Sequence, residues 1–224
     1  MTLTEAIQAR HSVRHYLHKP LPPEIIGEIE RMVGECNRPP GRLRIQLVTD
    51  EPRGFSGLMA YGKFSGVENY LVMAGAKEEE LDERVGYRGE QLVLLAQQLG
   101  LNTCWAGLSY RKVSGAFTLE KGEKVACMIA LGYGAEQGHP HKSKRPEQVS
   151  NLSETSPEWF RRGVEAALLA PTAINQQKFY LEYKAPGKVT ARRLFSVIGY
   201  TEMDLGIVKC HFEAAAGKDN FEWV

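Results

Sequence analysis

Four short runs carry side chains whose types and spacing suit chemistry. In Arg10-His11-Ser12-Val13-Arg14 two guanidinium forks lie four residues apart with a hydroxyl between them. Such forks pair bidentately with phosphate or carboxylate, which lysine does less specifically. Without a ligand the same run is a solvated basic turn. In Ala170-Pro171-Thr172-Ala173-Ile174-Asn175-Gln176-Gln177 a helix stops at proline and small residues let the backbone approach something closely. Asn175 and Gln177 each donate and accept hydrogen bonds. They suit the edge of a flat heterocycle with alternating carbonyls and N–H groups, and equally a polar helix terminus. Gly100-Leu101-Asn102-Thr103-Cys104-Trp105-Ala106-Gly107 reads as a strand ending in small residues, where backbone N–H groups can reach a ligand. His141-Lys142-Ser143-Lys144-Arg145 is a cationic cluster suited to a phosphate, or a wet loop.

The elements that must position these runs follow from local signals. Thr2-Leu3-Thr4-Glu5 is a capping box opening a short helix that ends near Arg10. Pro22-Pro23 opens a second helix with Ile25, Ile29, Met32 and Val33 on one face, stopped by Arg38-Pro39-Pro40-Gly41. Leu43, Ile45 and Leu47 alternate with polar residues as in a half-buried strand, and Tyr70 to Ala74 is an apolar strand. The stretch from Gly54 to Gly66 reads as loop. A helix is predicted from Arg88 to Leu99 with Gly100 at its C′ position, then strands over Asn102 to Gly107 and Lys124 to Leu131. Gly138 to Pro146 is a turn-rich basic loop, and Asn151 to Ser156 a linker.

After that linker the pattern starts again. Pro157-Glu158 opens a helix with Phe160, Val164, Ala167 and Leu168 inward, Pro171 stops it, and Phe179 and Leu181 alternate in a strand. Pro23-Glu24, Ile45 and Leu47 match Pro157-Glu158, Phe179 and Leu181 at one constant spacing. Gly206 precedes a helical segment ending in Phe221-Glu222-Trp223, which echoes Gly89 leading to Asn102 through Trp105. Two related units are expected, 1–150 and a shortened 151–224, unless two amphipathic helix–strand pairs match by chance.

Composition sets the bounds. The chain has 224 residues, 43% hydrophobic and 25% charged, enough for a sizeable core without staples. A formal charge of +1 gives no reason to expect nucleic acid or an anionic membrane as partner. No apolar run reaches bilayer length, and the first residues lack the apolar core of a signal peptide, so a cytoplasmic protein is expected. Cys36, Cys104, Cys127 and Cys210 lie far apart with no CxxC pair, and nothing completes a ligand set around His139-Pro-His141. No metal is expected, and each cysteine reads as a small buried apolar residue.

Taken together, the four runs resemble the nitroreductase family of flavin enzymes. Arg10 to Arg14 is similar to its R-R-S-x-R run, with His11 at the second position. Ala170 to Phe179 is similar to its A-P-S-x-x-N-x-Q-P-W run, with Thr172 for serine and Lys178-Phe179 for Pro-Trp. Gly100 to Gly107 is similar to its G-L-G-T-C-W-x-G run, and Lys142 to Pro146 to its late basic loop. One departure is informative. In ordinary members the proline–asparagine run follows the second helix, where this chain has Glu35-Cys36-Asn37-Arg38-Pro39-Pro40-Gly41; here the run occurs only after Leu169. Members are usually homodimers that build the flavin site from both subunits. This chain resembles the thermophile-type subgroup in which one internally duplicated chain mimics the dimer.

The resemblance implies an α+β fold, with antiparallel-rich central sheets flanked by helices, and one FMN per chain, the symmetry-related site having decayed. It implies a monomer acting as a pseudo-dimer, a homodimer on top of it being the other arrangement. The implied cofactor residues are Arg10, His11, Ser12 and Arg14; Trp105, Ala106, Gly107 and Leu108; Lys142, Lys144 and Arg145; and Pro171, Thr172, Ala173, Asn175 and Gln177. Arg10, Ser12 and the basic loop would take the phosphate, Arg14 the pyrimidine edge, Pro171, Thr172 and Asn175 the ring and ribityl chain, and N–H groups of Ala106 to Leu108 the region of N5. The flavin carries the chemistry, so no catalytic side chain is implied. The activity implied is ping-pong hydride transfer from NAD(P)H to a nitroaromatic, quinone or similar electron-poor small molecule. No Rossmann fingerprint offers a separate nucleotide site, since Gly132-Tyr133-Gly134 is wrongly spaced from Gly138. Lys178-Phe179 and His11 leave a second reading, a non-catalytic flavin-binding or sensor protein.

Overall fold

Thr2 and Glu5 close the expected capping box. The Thr2 N–H donates to Glu5 Oε2 at 2.7 Å and the Glu5 N–H to Thr2 Oγ1 at 3.2 Å, which starts α1 (Leu3–Ala9). The computed structural model describes residues 1–38, 42–57 and 63–224. The expected helix stop at Pro39-Pro40-Gly41 and the middle of the Gly54–Gly66 loop lie outside the described residues. The elements that follow are α2 (Pro23–Cys36), β1 (Leu43–Val48), β2 (Asn69–Ala76), α3 (Leu81–Gln98), β3 (Asn102–Ala106) and β4 (Glu123–Gly132). Then come α4 (Glu158–Ala167), β5 (Phe179–Ala185), β6 (Lys188–Arg193), α5 (Thr201–Ala216) and β7 (Glu222–Trp223). The result is the α+β class with mostly antiparallel sheets.

The chain divides into two compact units, both discontinuous in sequence: residues 10–81 with 92–140, here the sheet unit, and residues 1–9, 82–91 and 141–224, here the helical unit. In the sheet unit the strand order is β1-β2-β4-β3 with every neighbouring pair antiparallel, so β3 runs parallel to β2 with β4 between them. β2 is buried along its whole length. One face of the sheet packs Tyr70, Val72, Ala74, Cys104, Ala106, Met128 and Ala130 against Val13, Tyr16 and Phe55. α3 ends in a Schellman motif. Gly100, at φ 78, donates its N–H to Gln97 O at 3.1 Å, and Leu101 donates to Ala96 O at 2.9 Å. The helix starts at Leu81, earlier than the expected Arg88, because Leu81 and Val85 continue its buried face through a charged stretch.

In the helical unit β5 and β6 pair antiparallel and β7 joins β6 in parallel. α4 buries Phe160, Val164 and Ala167 as its spacing required. It meets α5 at Gly163, where a Cβ would fall 2.5 Å from the Phe212 ring. Around that contact Phe160, Phe212 and Phe221 pack ring to ring, with Trp159 stacked on Phe221 at 5.5 Å. α5 also crosses the part of α3 that belongs to this unit. A Cβ on Gly86 would meet Met203 O at 2.0 Å, and one on Gly206 would meet Glu83 O at 2.0 Å. Each glycine thus faces the carbonyl three residues before the other, a reciprocal contact. Gly206 lies inside α5 and does not precede it, and Phe221 to Trp223 end in β7, not in helix. Residues 151–156, read as a linker, are tethered within this unit. The Asn151 side chain donates to Tyr183 O and accepts the Tyr183 N–H, both at 2.9 Å.

Candidate functional site

In the sheet unit the arginine run lies alongside β3. Ser12 bridges Thr103 in parallel, and the Val13 N–H donates to Thr103 O at 3.0 Å. Tyr16 then fixes the run from below. Its buried hydroxyl donates to Val13 O at 2.7 Å, its N–H donates to Ser65 O, and burial pushes its phenol well above the ordinary range. Gly138, at φ 70, gives His11 and Ser12 their place; a Cβ there would fall 2.8 Å from His11 Cβ and 3.0 Å from Ser12 O. Gly138 therefore serves as a clearance for the arginine run, a role its failed match to a dinucleotide fingerprint did not suggest.

Arg10, Ser12 and Arg14 converge electrostatically on Cys104 of β3. Burial pushes the Cys104 thiol up, while Arg14, a hydrogen bond with Ser12 and Arg10 pull it down. Arg10 is 4% exposed, whereas Arg14 is exposed. Beyond Cys104 the chain leaves the sheet through Trp105, Ala106, Gly107 and Leu108, with Leu108 69% exposed. This unit therefore gathers two guanidinium groups, a hydroxyl and the end of a strand.

The helical unit gathers the other set. The basic loop and the polar turn are hydrogen-bonded into one piece. Asn175 Nδ2 donates to Lys142 O at 2.8 Å and Gln177 Nε2 to the same oxygen at 2.9 Å and to Asn175 Oδ1 at 2.8 Å. In return Gln177 Oε1 accepts the Lys144 N–H at 2.8 Å, and Lys144 Nζ donates to Gln177 O at 2.7 Å. Gln177 is 3% exposed, so its amide locks turn to loop and does not face outward to read a ligand. Burial, and then Lys178, lower the pKa of Lys144. Lys142, Arg145 and Asn175 remain exposed. His141 Nε2 and Ser143 Oγ both bond to Leu168 O, at 2.9 and 3.1 Å, which caps α4 and carries the loop on its end.

The turn itself is strained. Ile174, Asn175 and Gln177 hold φ of 47°, 59° and 46°, the left-handed region that favours glycine. Ile174 is β-branched, for which this is a genuine outlier, and it is 76% exposed. Thr172 contributes through its Oγ1, which accepts the Gln177 N–H at 3.1 Å. One residue that sequence reasoning missed joins here. Asp204 of α5 accepts the Ala173 N–H at 2.9 Å through Oδ1 and Gln176 Nε2 at 2.7 Å through Oδ2. No local signal marks it, because it reaches the turn only through the tertiary placement of α5.

Helices flanking mostly antiparallel sheets, an arginine run clipped to one strand and a polar turn locked to a basic loop define a fold of nitroreductase type. The chain belongs to the family described as "Putative TM nitroreductase", whose sequence model matches residues 2–216. Among solved structures it is similar to a "putative nitroreductase" from Thermotoga maritima, at 23% identity and a TM-score of 0.68 over 96% of this chain and 83% of that one. It is also similar to a "putative nitroreductase in complex with FMN" from Desulfovibrio desulfuricans, at 19% identity and 0.52 over 69% of this chain and 98% of that one. A nitroreductase family protein from Clostridium difficile matches at 15% identity and 0.52, over 68% and 99%. Among curated proteins none matches.

Proposed function

We propose that this chain is an FMN-dependent oxidoreductase that takes electrons from NAD(P)H and passes them to a nitroaromatic, quinone or similar electron-poor acceptor. Family membership supports the reaction class, and the Desulfovibrio relative is described in complex with FMN. The observation that carries the proposal is the locked assembly of basic loop and strained turn, which leaves Lys142, Arg145 and Asn175 exposed at its surface. FMN carries a phosphate of charge about −2 and a planar heterocycle, so it needs cations and small polar contacts of this kind.

In this reading Arg10 and Ser12 of the sheet unit bind the phosphate. Arg14 lies toward the pyrimidine edge, where a fixed cation favours the reduced, anionic ring. The N–H groups of Ala106 to Leu108 donate toward the ring. Lys142 and Arg145 of the helical unit are exposed cations that would suit a phosphate, with Lys144 holding the loop. Pro171, Thr172, Ala173 and Asn175 pack on the ring and ribityl chain. Bound FMN supplies two-electron hydride chemistry, and the side chains orient and polarise. The chain acts as a monomeric pseudo-dimer, supported by the reciprocal Gly86–Gly206 crossing within it.

Absorbance spectroscopy tests the proposal. Purified or FMN-reconstituted protein is yellow and bleaches anaerobically on adding NADH or NADPH, and Arg10→Ala loses about tenfold or more in FMN affinity. Protein that cannot be loaded with FMN rejects the reading, and loaded protein that no nicotinamide nucleotide bleaches rejects the activity.

A further inference from the structure

We infer that Asp204 is a positioning residue. It holds the Pro171–Gln177 turn in its strained conformation and, through Gln176, ties the apolar loop Leu194–Gly199 to that turn. The inference rests on the flavin reading above only where it concerns FMN.

Left-handed backbone at three non-glycine residues is unfavourable and persists only where the surroundings over-determine it. Inside the turn the Asn175 N–H donates to Thr172 O and the Gln176 N–H to Ala173 O, at 2.9 and 3.0 Å. Those bonds belong to any tight turn and do not select this one. Two outside anchors do. Lys142 and Lys144 fix the Asn175–Gln177 end, and Asp204 fixes the Ala173–Gln176 end. Asp204 is 3% exposed and sits in the first turn of α5, a helix with Leu205, Val208 and Phe212 buried, so its two carboxylate oxygens are a rigid reference. A flexible surface carboxylate would not serve.

Gln176 extends the control to a second segment. Its Nε2 is shared between Asp204 Oδ2 and Gly199 O, the latter at 3.0 Å. Residues 194–199 are not held by burial: Phe195 is 83% exposed, Val197 89% and Ile198 44%. The loop is pinned where Leu194 donates its N–H to Lys178 O at 2.8 Å and where Gly199 accepts from Gln176. Asp204 thus sets the orientation of the Gln176 amide that holds the far end of the loop.

Hydrogen exchange by mass spectrometry and FMN titration on the full-length chain separate the possibilities. In Asp204→Ala, amide exchange in 172–177 and 194–200 rises about tenfold or more while α4 and β5 keep wild-type protection. FMN affinity falls about tenfold, because the turn that carries Asn175 is no longer held in one conformation. Asp204→Asn keeps an acceptor for the Ala173 N–H and restores protection there and most of the affinity. Wild-type exchange in both segments of Asp204→Ala overturns the inference. Raised exchange in a protein that binds FMN in no variant refutes the flavin reading and leaves the positioning role standing. Should Asp204→Ala not fold, Gln176→Ala opens the same bridge, and unchanged exchange over 194–200 then overturns the inference.

Discussion

Ile174 holds φ 47° with its side chain 76% exposed, so its native contacts return little for a conformation that a β-branched residue resists. Asparagine tolerates the left-handed region. Ile174→Asn is therefore expected to stabilise the protein by about 0.5–1 kcal/mol, read as a higher Tm. A lower Tm would mean that Ile174 makes packing its exposure conceals. Asp204 gives a pH signature. Burial raises its carboxyl from 3.8 to about 6, against the Ala173 N–H and the Gln176 amide, which pull it down. A carboxyl whose folded pKa is raised stabilises the fold fully below its unfolded value and loses that contribution as pH rises through 6. From pH 4 to 7 wild type is expected to lose up to about 3 kcal/mol relative to Asp204→Asn, measured by urea denaturation at each pH. Parallel pH profiles would place the carboxyl in water. The two residues differ in legibility. The Asn175–Gln177 run was readable as a motif, whereas Asp204 is a single acid on another element.

Elements whose signals are local were legible, and those defined by partners were not. The Thr2–Glu5 box and the Gly100 terminus are closed by bonds within a few residues, so composition alone marks them. β6 buries Val189 and little else, and β7 has two residues, so neither has a pattern to read. Glycine on helices shows the same division. Gly27 of α2 has nothing within 4 Å of an added Cβ, while Gly86 and Gly206 each face a backbone carbonyl at 2.0 Å. Nothing in the sequence separates these three. Gly27→Ala is expected to stabilise by about 0.5–1 kcal/mol, since the helix only loses unfolded-state freedom. Gly86→Ala and Gly206→Ala push α3 and α5 apart and are expected to destabilise by about 3 kcal/mol or more. Thermal unfolding of the three variants measures the contrast, and a tolerated alanine at either crossing position would show that the helices are not in close contact.

At the scale of the whole molecule, the proposed flavin site raises a question of number. The sheets offer a comparison: β3 runs parallel to β2 with β4 between them, and β7 runs parallel to β6 with no strand between. If the rear half were a copy that had lost the counterpart of β4, it would give this relation, and two copies of one helix crossing each other would make a reciprocal contact like that of Gly86 and Gly206. The fold class was legible through the resemblance carried by the Arg10–Arg14, Gly100–Gly107 and Ala170–Phe179 runs. The interleaving was not, because residues 82–91 join the rear of the chain only through helix packing. Symmetric ancestry alone would predict two sites. The proline–asparagine turn, however, occurs once, after Leu169, and the Arg10–Arg14 run occurs once as well, so the proposed donors would suit a single FMN. The expected stoichiometry is one FMN per chain in a species of 25.0 kDa, measured by released-flavin absorbance together with light scattering. A ratio of one half in a dimer would mean that a second copy completes the site, and a ratio of two would mean that the cations and amides identified here are not what limits flavin binding.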